Sequence, residues 1–386
     1  MTNDLPLSVP SLNGNEWRYV KECLDTEWVS SAGKYVELFQ EKIAKYTGSK
    51  FAIACVNGTS ALQVSLRMAG VQTGDEVIVP TLTFIAPVNS ITYNGASPVF
   101  MDVDNYYNID AEKTIGFIKN ETVFNKGFTY NKTTNKRISA IVPVLVWGNA
   151  ALLDELVPLC EERNIFVIED ASEGLGTVYS SGEFKGRHAG TIGKLGCLSF
   201  NGNKIITTGG GGMILTDDEA FADKTHYLTT QAKDDPVHYI HDEIGYNFRL
   251  SNIQSALGVA QLEQLPNFLK RKREIYNTYQ AAIDNITGLT LASVPDYAIN
   301  NHWMNLLQID SDVFGEDREA FMKRLEKNGI QTRPVWLLNH LQKPYMKCQS
   351  FEVERAKELV NISLCLPSST NLSDEDLNYV ISNLNG

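Results

Sequence analysis

Ser199-Phe200-Asn201-Gly202-Asn203-Lys204-Ile205-Ile206-Thr207-Thr208-Gly209-Gly210-Gly211-Gly212 joins two short apolar runs, 196–200 and 213–216, through a loop with one lysine, two threonines and four consecutive glycines. Each run has the length and continuous apolar character of a buried strand. Similar runs lie at 51–56, 76–79, 99–103, 138–146 and 166–169, with helical patterns between several of them, such as 60–69 and 152–163. Apolar strands alternating with helices predict an α/β fold whose seven-stranded sheet is mostly parallel and covered on both faces. Asn57, Pro80, Trp147, Asp170 and Asn201 each follow the C-terminal end of a run. In open α/β sheets that edge forms the ligand crevice.

The chemistry at that edge is specific. Lys204 lies among apolar residues, where loss of water favours the neutral, nucleophilic amine that forms Schiff bases. Asp170 closes Ile165-Phe166-Val167-Ile168-Glu169-Asp170 and can offer a fixed carboxylate. A Schiff-base lysine plus a carboxylate for a ring nitrogen is the signature of pyridoxal phosphate. Taken singly, Lys204 reads as a solvated loop lysine and Asp170 as a turn residue; the pair favours the cofactor. Asn57-Gly58-Thr59-Ser60 opens a helix after a strand, and the free N–H groups at such a helix end suit a phosphate. The plain alternative is an N-cap by Thr59 or Ser60.

Composition narrows the field. The chain has 386 residues, enough for one large or two smaller domains, with 43% hydrophobic and 21% charged residues. A net charge of −12 argues against a nucleic-acid partner. The basic run Lys270-Arg271-Lys272-Arg273 reads as a solvated helix face. Six cysteines show no metal or disulfide spacing, and Cys55, Cys160 and Cys197 read as small buried hydrophobes. No metal is expected. The first six residues lack a signal pattern, and no stretch is apolar enough to span a membrane, so a cytoplasmic enzyme is expected. The lysine-rich segment 112–137 reads as a helix followed by a surface excursion. A nicotinamide dehydrogenase fits poorly, because no GxGxxG follows the first strand.

Over nearly its whole length the chain resembles the DegT-type sugar aminotransferases. The resemblance rests on Trp28-Val29-Ser30-Ser31-Ala32-Gly33, Asn57-Gly58-Thr59-Ser60-Ala61-Leu62, Pro80-Thr81-Leu82-Thr83-Phe84, Glu169-Asp170-Ala171 and the Ser199 to Gly212 loop. It continues through Gly245-Tyr246-Asn247-Phe248-Arg249-Leu250, Gln254-Ser255-Ala256-Leu257-Gly258, Thr332-Arg333-Pro334-Val335-Trp336 and His340-Leu341-Gln342. It implies a fold type I aminotransferase, with a large cofactor-binding domain at 1–250 and a smaller C-terminal α/β domain at 251–386. Pyridoxal 5′-phosphate would be carried by Lys204, with Asp170 on its ring nitrogen, Glu173 near its 3′-oxygen and Phe84 on its face. Gly58, Thr59, Ser60 and Ser199 would hold the phosphate, joined by Asn247 from a second subunit of a homodimer. Ser31, Arg249, Arg333 and His340 would bind substrate.

By the same resemblance the reaction moves an amino group from L-glutamate to the 4-keto carbon of a nucleotide-linked 6-deoxy sugar, for bacterial surface glycans. The motif wording looks most like relatives acting on UDP-linked N-acetylated 4-keto sugars of bacillosamine or legionaminic acid type; GDP-perosamine synthases are the alternative. Two positions depart from the family. Leu145 stands where Pro143-Val144-Leu145 usually carries histidine, and Glu173 where many relatives have Gln or His. Leu145 leaves room for a non-catalytic relative. A sugar dehydratase of this fold would have histidine in place of Lys204.

Overall fold

The protein is described by a computed structural model at residues 4–235 and 237–385; residues 1–3 of the stretch read for a targeting signal lie outside the described residues, as do 236 and 386. All seven expected strands form and lie in one sheet. Its order is Phe51–Cys55, Gly212–Thr216, Leu195–Ser199, Phe166–Asp170, Arg137–Ile141, Glu76–Pro80, Ser97–Met101, with Ser350–Phe351 added at the far edge. Pairing is parallel from Leu195–Ser199 outward to Ser350–Phe351. Gly212–Thr216 runs antiparallel to both neighbours.

Two readings need correction. The run 138–146 ends as a strand at Ile141, because Pro143 has no N–H for the ladder and Trp147 turns the chain with a φ of 60°. Only Val144 still bridges to Asp170. The 112–137 segment does begin with a helix, Ala111–Asn120, but the rest is a hairpin, Thr122–Asn125 with Phe128–Asn131, that extends the sheet through Arg137–Ile141. Its turn is Lys126-Gly127 with φ of 50° and 81°, the left-handed pair that tight hairpins use. No helix among the described residues is long and apolar enough to cross a membrane.

The main core lies against this sheet. A second cluster gathers Ile275, Tyr279 and Ile283 with Leu307, Phe321, Leu364 and Val380 around a four-stranded antiparallel sheet. The N-terminal arm is stitched onto it. Leu5 is buried there, its N–H donates to Gly329 O at 2.7 Å, and its carbonyl accepts from Gln331 N at 2.9 Å. Further along the arm, Leu7 O accepts from Ser368 N at 2.9 Å.

The helix Asn252–Ile283 carries the second core's first residues and starts with a capping box, Ser251 with Gln254. The basic run falls on this helix but is not solvated throughout. Lys272 is only 3% exposed, and Nζ donates to Trp303 O at 2.8 Å and to Ser368 O. Burial pulls its amine down to about 7. The unfolded chain then binds more protons than the folded one between pH 7 and the usual lysine value, so this residue's contribution to stability rises with pH across that window. Urea unfolding of wild type and Lys272→Met at pH 7, 8, 9 and 10 should show the difference moving in favour of wild type, by at most about 1.4 kcal/mol per pH unit. A flat difference would mean that Lys272 stays protonated in the folded protein.

Candidate active site

The antiparallel strand fixes where the site forms. Gly212 pairs with Cys55 on one side and Ser199 on the other, so the turn at Asn57 and the start of the lysine loop end level. They meet Asp170 along the same edge, where a cavity of about 440 Å³ opens. Gly58, Thr59, Phe84, Asp170, Glu173, Ser199, Lys204 and Arg333 all line it.

Lys204 does not sit among bare apolar groups. Its Nζ donates to Glu173 Oε1 at 2.9 Å and lies 4.1 Å from the centroid of the Trp303 ring. Glu173 Oε2 accepts the Trp147 N–H at 2.7 Å. Burial pushes the Glu173 carboxyl up, while the Lys204 charge and hydrogen bond pull it back. The carboxylate at this variable position is thus the hydrogen-bonded partner of the amine.

Asp170 is buried, and its Oδ1 accepts the Ser172 N–H at 3.1 Å. Burial raises its pKa, opposed by the Ser172 bonds and the Lys204 charge. A buried carboxylate on a cavity wall with one backbone donor is well suited to a protonated ring nitrogen. The helix Gly58–Met68 starts beside it and is capped by Asn57, whose Oδ1 accepts the Ser60 N–H at 2.8 Å; neither Thr59 nor Ser60 is the cap. A Cβ on Gly58 would lie 2.9 Å from Ser199 Cβ and 3.2 Å from Ser172 Oγ, so only glycine leaves the helix end open between the two hydroxyls. An open helix N-terminus flanked by hydroxyls is a phosphate cup. These groups fit pyridoxal phosphate.

The remaining residues divide. Phe84 is 56% exposed and meets Trp336 edge-on at 6.1 Å. Arg333 is exposed, with Nη1 donating to Thr332 O at 2.8 Å. Ser60 does not line the cavity, and its N–H is taken by Asn57 Oδ1. His340 is not on the wall; its Nδ1 pairs with Thr81 Oγ1 at 2.6 Å. Asn247 bridges to Thr230, and Ser31 and Arg249 line a separate cavity of about 240 Å³ with His226. Leu145 is fully buried and does not line the cavity; its Cδ2 fills the space beside Gly174.

Sequence reasoning missed Ser172 and an aromatic stack. Trp147 lies between Trp336, 4.1 Å away at 18°, and Trp303, 5.9 Å away at 13°. Trp147 carried a signal, its place after a strand end. Trp303 carried none, because it comes from a distant loop.

Comparison with known proteins agrees with this fold. The model of the DegT/DnrJ/EryC1/StrS aminotransferase family matches residues 10–385. A GDP-perosamine synthase of Escherichia coli O157:H7 is 38% identical over 382 residues, 99% of this chain and 98% of the relative. EpsN of Bacillus subtilis, whose name describes a pyridoxal phosphate-dependent aminotransferase, is 35% identical over 388 residues, 99% of this chain and 95% of its own. The crystal structure of DesI with its TDP-sugar product superposes with a TM-score of 0.86 at 27% identity, covering 100% of this chain and 93% of that one. The chain belongs to the DegT/DnrJ/EryC1/StrS aminotransferase family, and it is an aminotransferase of the pyridoxal phosphate-dependent kind.

Proposed function

We propose that the protein transfers an amino group from an amino acid, L-glutamate in the simplest case, to the 4-keto carbon of a nucleotide-linked 6-deoxy sugar. The observation that carries this reading is the convergence of the Lys204 amine, the Asp170 carboxylate and the Gly58 cup on one cavity. Relatives named GDP-perosamine synthase, 38% and 36% identical, favour a GDP-linked sugar over the UDP-linked N-acetylated sugar suggested by the motif wording. Surface-glycan synthesis and a cytoplasmic setting go with that substrate class. Placement of Ser31, Asn247 and Arg249 away from the Lys204 cavity supports a homodimer in which they serve the partner's site. Exposed Trp28, Val29, Tyr239 and Ile244 offer it apolar surface. We also take 1–250 and 251–386 as the two domains; the second core draws mainly on the C-terminal part, while Ala256, Leu265, Ala356 and Leu359 of that part pack into the main core.

When bound, pyridoxal phosphate supplies an aldehyde that exchanges amines and a ring that accepts the electrons of the bond broken at carbon. Lys204 would carry that group on Nζ; with Nζ free, the amine would take the proton from the donor α-carbon and deliver one to the sugar C4. Glu173 holds Nζ at the cavity through its 2.9 Å hydrogen bond. Asp170 keeps the ring nitrogen protonated, and Gly58, Thr59 and Ser199 fix the phosphate. Arg333, exposed at the mouth, pairs with the donor carboxylate or the diphosphate.

Purified protein incubated with glutamate and a panel of GDP- and UDP-linked 4-keto sugars should yield an amino sugar by mass spectrometry, and borohydride should fix the cofactor on Lys204. Label on another lysine, or no aminated product from any sugar, refutes the reading. Asp170→Asn should bind cofactor yet lose at least about tenfold in kcat, since hydrogen bonds to charged groups contribute about 1.5–3 kcal/mol; near wild-type turnover would reduce Asp170 to a turn residue. Leu145→His places a polar ring in a fully buried apolar site. It should cost about 1–3 kcal/mol of stability and raise neither rate nor cofactor affinity; a gain in either would mark Leu145 as a lost polar contact.

A further inference from the structure

We infer that Asn301 is a positioning residue that sets where the Lys204 amine sits, by fixing Glu173 and Trp303 together. The inference rests on the reading that Lys204 carries the cofactor. Asn301 is fully buried and does not line the cavity, so it cannot touch substrate. Its side-chain bonds nevertheless run to both residues that touch Nζ. Nδ2 donates to Glu173 O at 2.7 Å and to Leu175 O at 3.0 Å, and Oδ1 accepts the Trp303 N–H at 2.8 Å. Both amide hydrogens and the carbonyl are thereby used.

The backbone of the same residue is locked to the third wall of the amine's pocket. Asn301 N–H donates to Thr177 Oγ1 at 3.2 Å, and that hydroxyl donates to Gly148 O at 2.7 Å. Gly148 has φ of 84°, and a Cβ there would collide with Asn301 Oδ1, so the two residues accept no other fit. The preceding residue is Trp147, whose N–H holds the far oxygen of the Glu173 carboxylate. Lys272 grips the carbonyl end of the Trp303 peptide while Asn301 grips its N–H end. Between them His302 is held at a φ of 50°, with its N–H on Asn300 Oδ1 at 2.5 Å. A non-glycine residue in that region persists only where its surroundings over-determine it. A turn without these amide bonds would let Trp303 and the 173–177 segment drift apart, and Nζ would lose its ring face and its carboxylate alignment together.

Asn301→Ala tests this on two levels. Cofactor-free protein should capture added pyridoxal phosphate on Lys204 about tenfold more slowly, followed by the visible absorbance. The loaded enzyme should lose a similar factor in kcat with little change in KM for the keto sugar, as expected for misplacement of a reacting group. If the melting temperature falls while capture rate and kcat stay at wild-type values, Asn301 is a structural brace and the proposal is overturned. Should Asn301→Ala not fold, Thr177→Val removes the hydroxyl that ties Asn301 to Gly148; a smaller loss of the same kind supports the proposal, and unchanged capture and kcat overturn it. Borohydride mapping of wild type separates the two readings. Label away from Lys204 sinks the cofactor assignment and this proposal with it, whereas label on Lys204 with indifferent variants sinks this proposal alone.

Discussion

The register Cys55–Gly212–Ser199 across three strands organises everything at the functional edge. Because Gly212–Thr216 is antiparallel, its beginning lies level with the ends of its two neighbours. That places a helix N-terminus, a serine hydroxyl and the lysine loop side by side without any long-range side-chain contact. A slip of one residue would turn every side chain to the opposite face of the sheet. Buried apolar faces on both sides of these strands oppose such a slip, and so the core specifies the site.

Within the cavity the charges are unevenly matched. Asp170 and Glu173 are both buried and both raised by burial, and Lys204 offsets them together while bonding only to Glu173. Asp170 is left with Ser172, through its N–H and its hydroxyl, as hydrogen-bond donor. A second buried positive charge, such as the proton of a pyridine nitrogen, would relieve that imbalance. Under the proposed function the labour divides accordingly: one carboxylate for the amine, the other for the ring.

Much of this was legible in the chain. The seven strands announced themselves as apolar runs, and the polar residues after them marked the edge at which Lys204, Asp170 and Gly58 meet. The hairpin at Thr122–Asn131 did not, because its strands are half-exposed and lysine-rich flanks mask the Lys126-Gly127 turn signal. Lys272 looked solvated among its basic neighbours, since local charge pattern cannot foresee two carbonyls arriving from Trp303 and Ser368. Trp303 and Asn301 reach the site through tertiary contacts alone. Ser31 and Arg249 share motifs with the site yet lie elsewhere in the chain's own fold. Motif order carries no statement of which cavity a residue faces.

The N-terminal arm gives the molecule an unequal response to heat. It crosses from the second core at Leu5 to the cavity wall at Leu7, and Ser8 Oγ reaches Asn203 O at 3.4 Å, next to Lys204. Backbone bonds at Leu5 and Leu7, the Val9 N–H on Ser369 Oγ and the buried Leu5 side chain hold it, and a segment with so few contacts opens before densely packed elements do. Warming would peel the arm from the wall and flood the amine's surroundings with water while both cores stayed packed. Inactivation on heating would then precede unfolding and reverse on cooling, a gap set by a few residues at the edge of the fold.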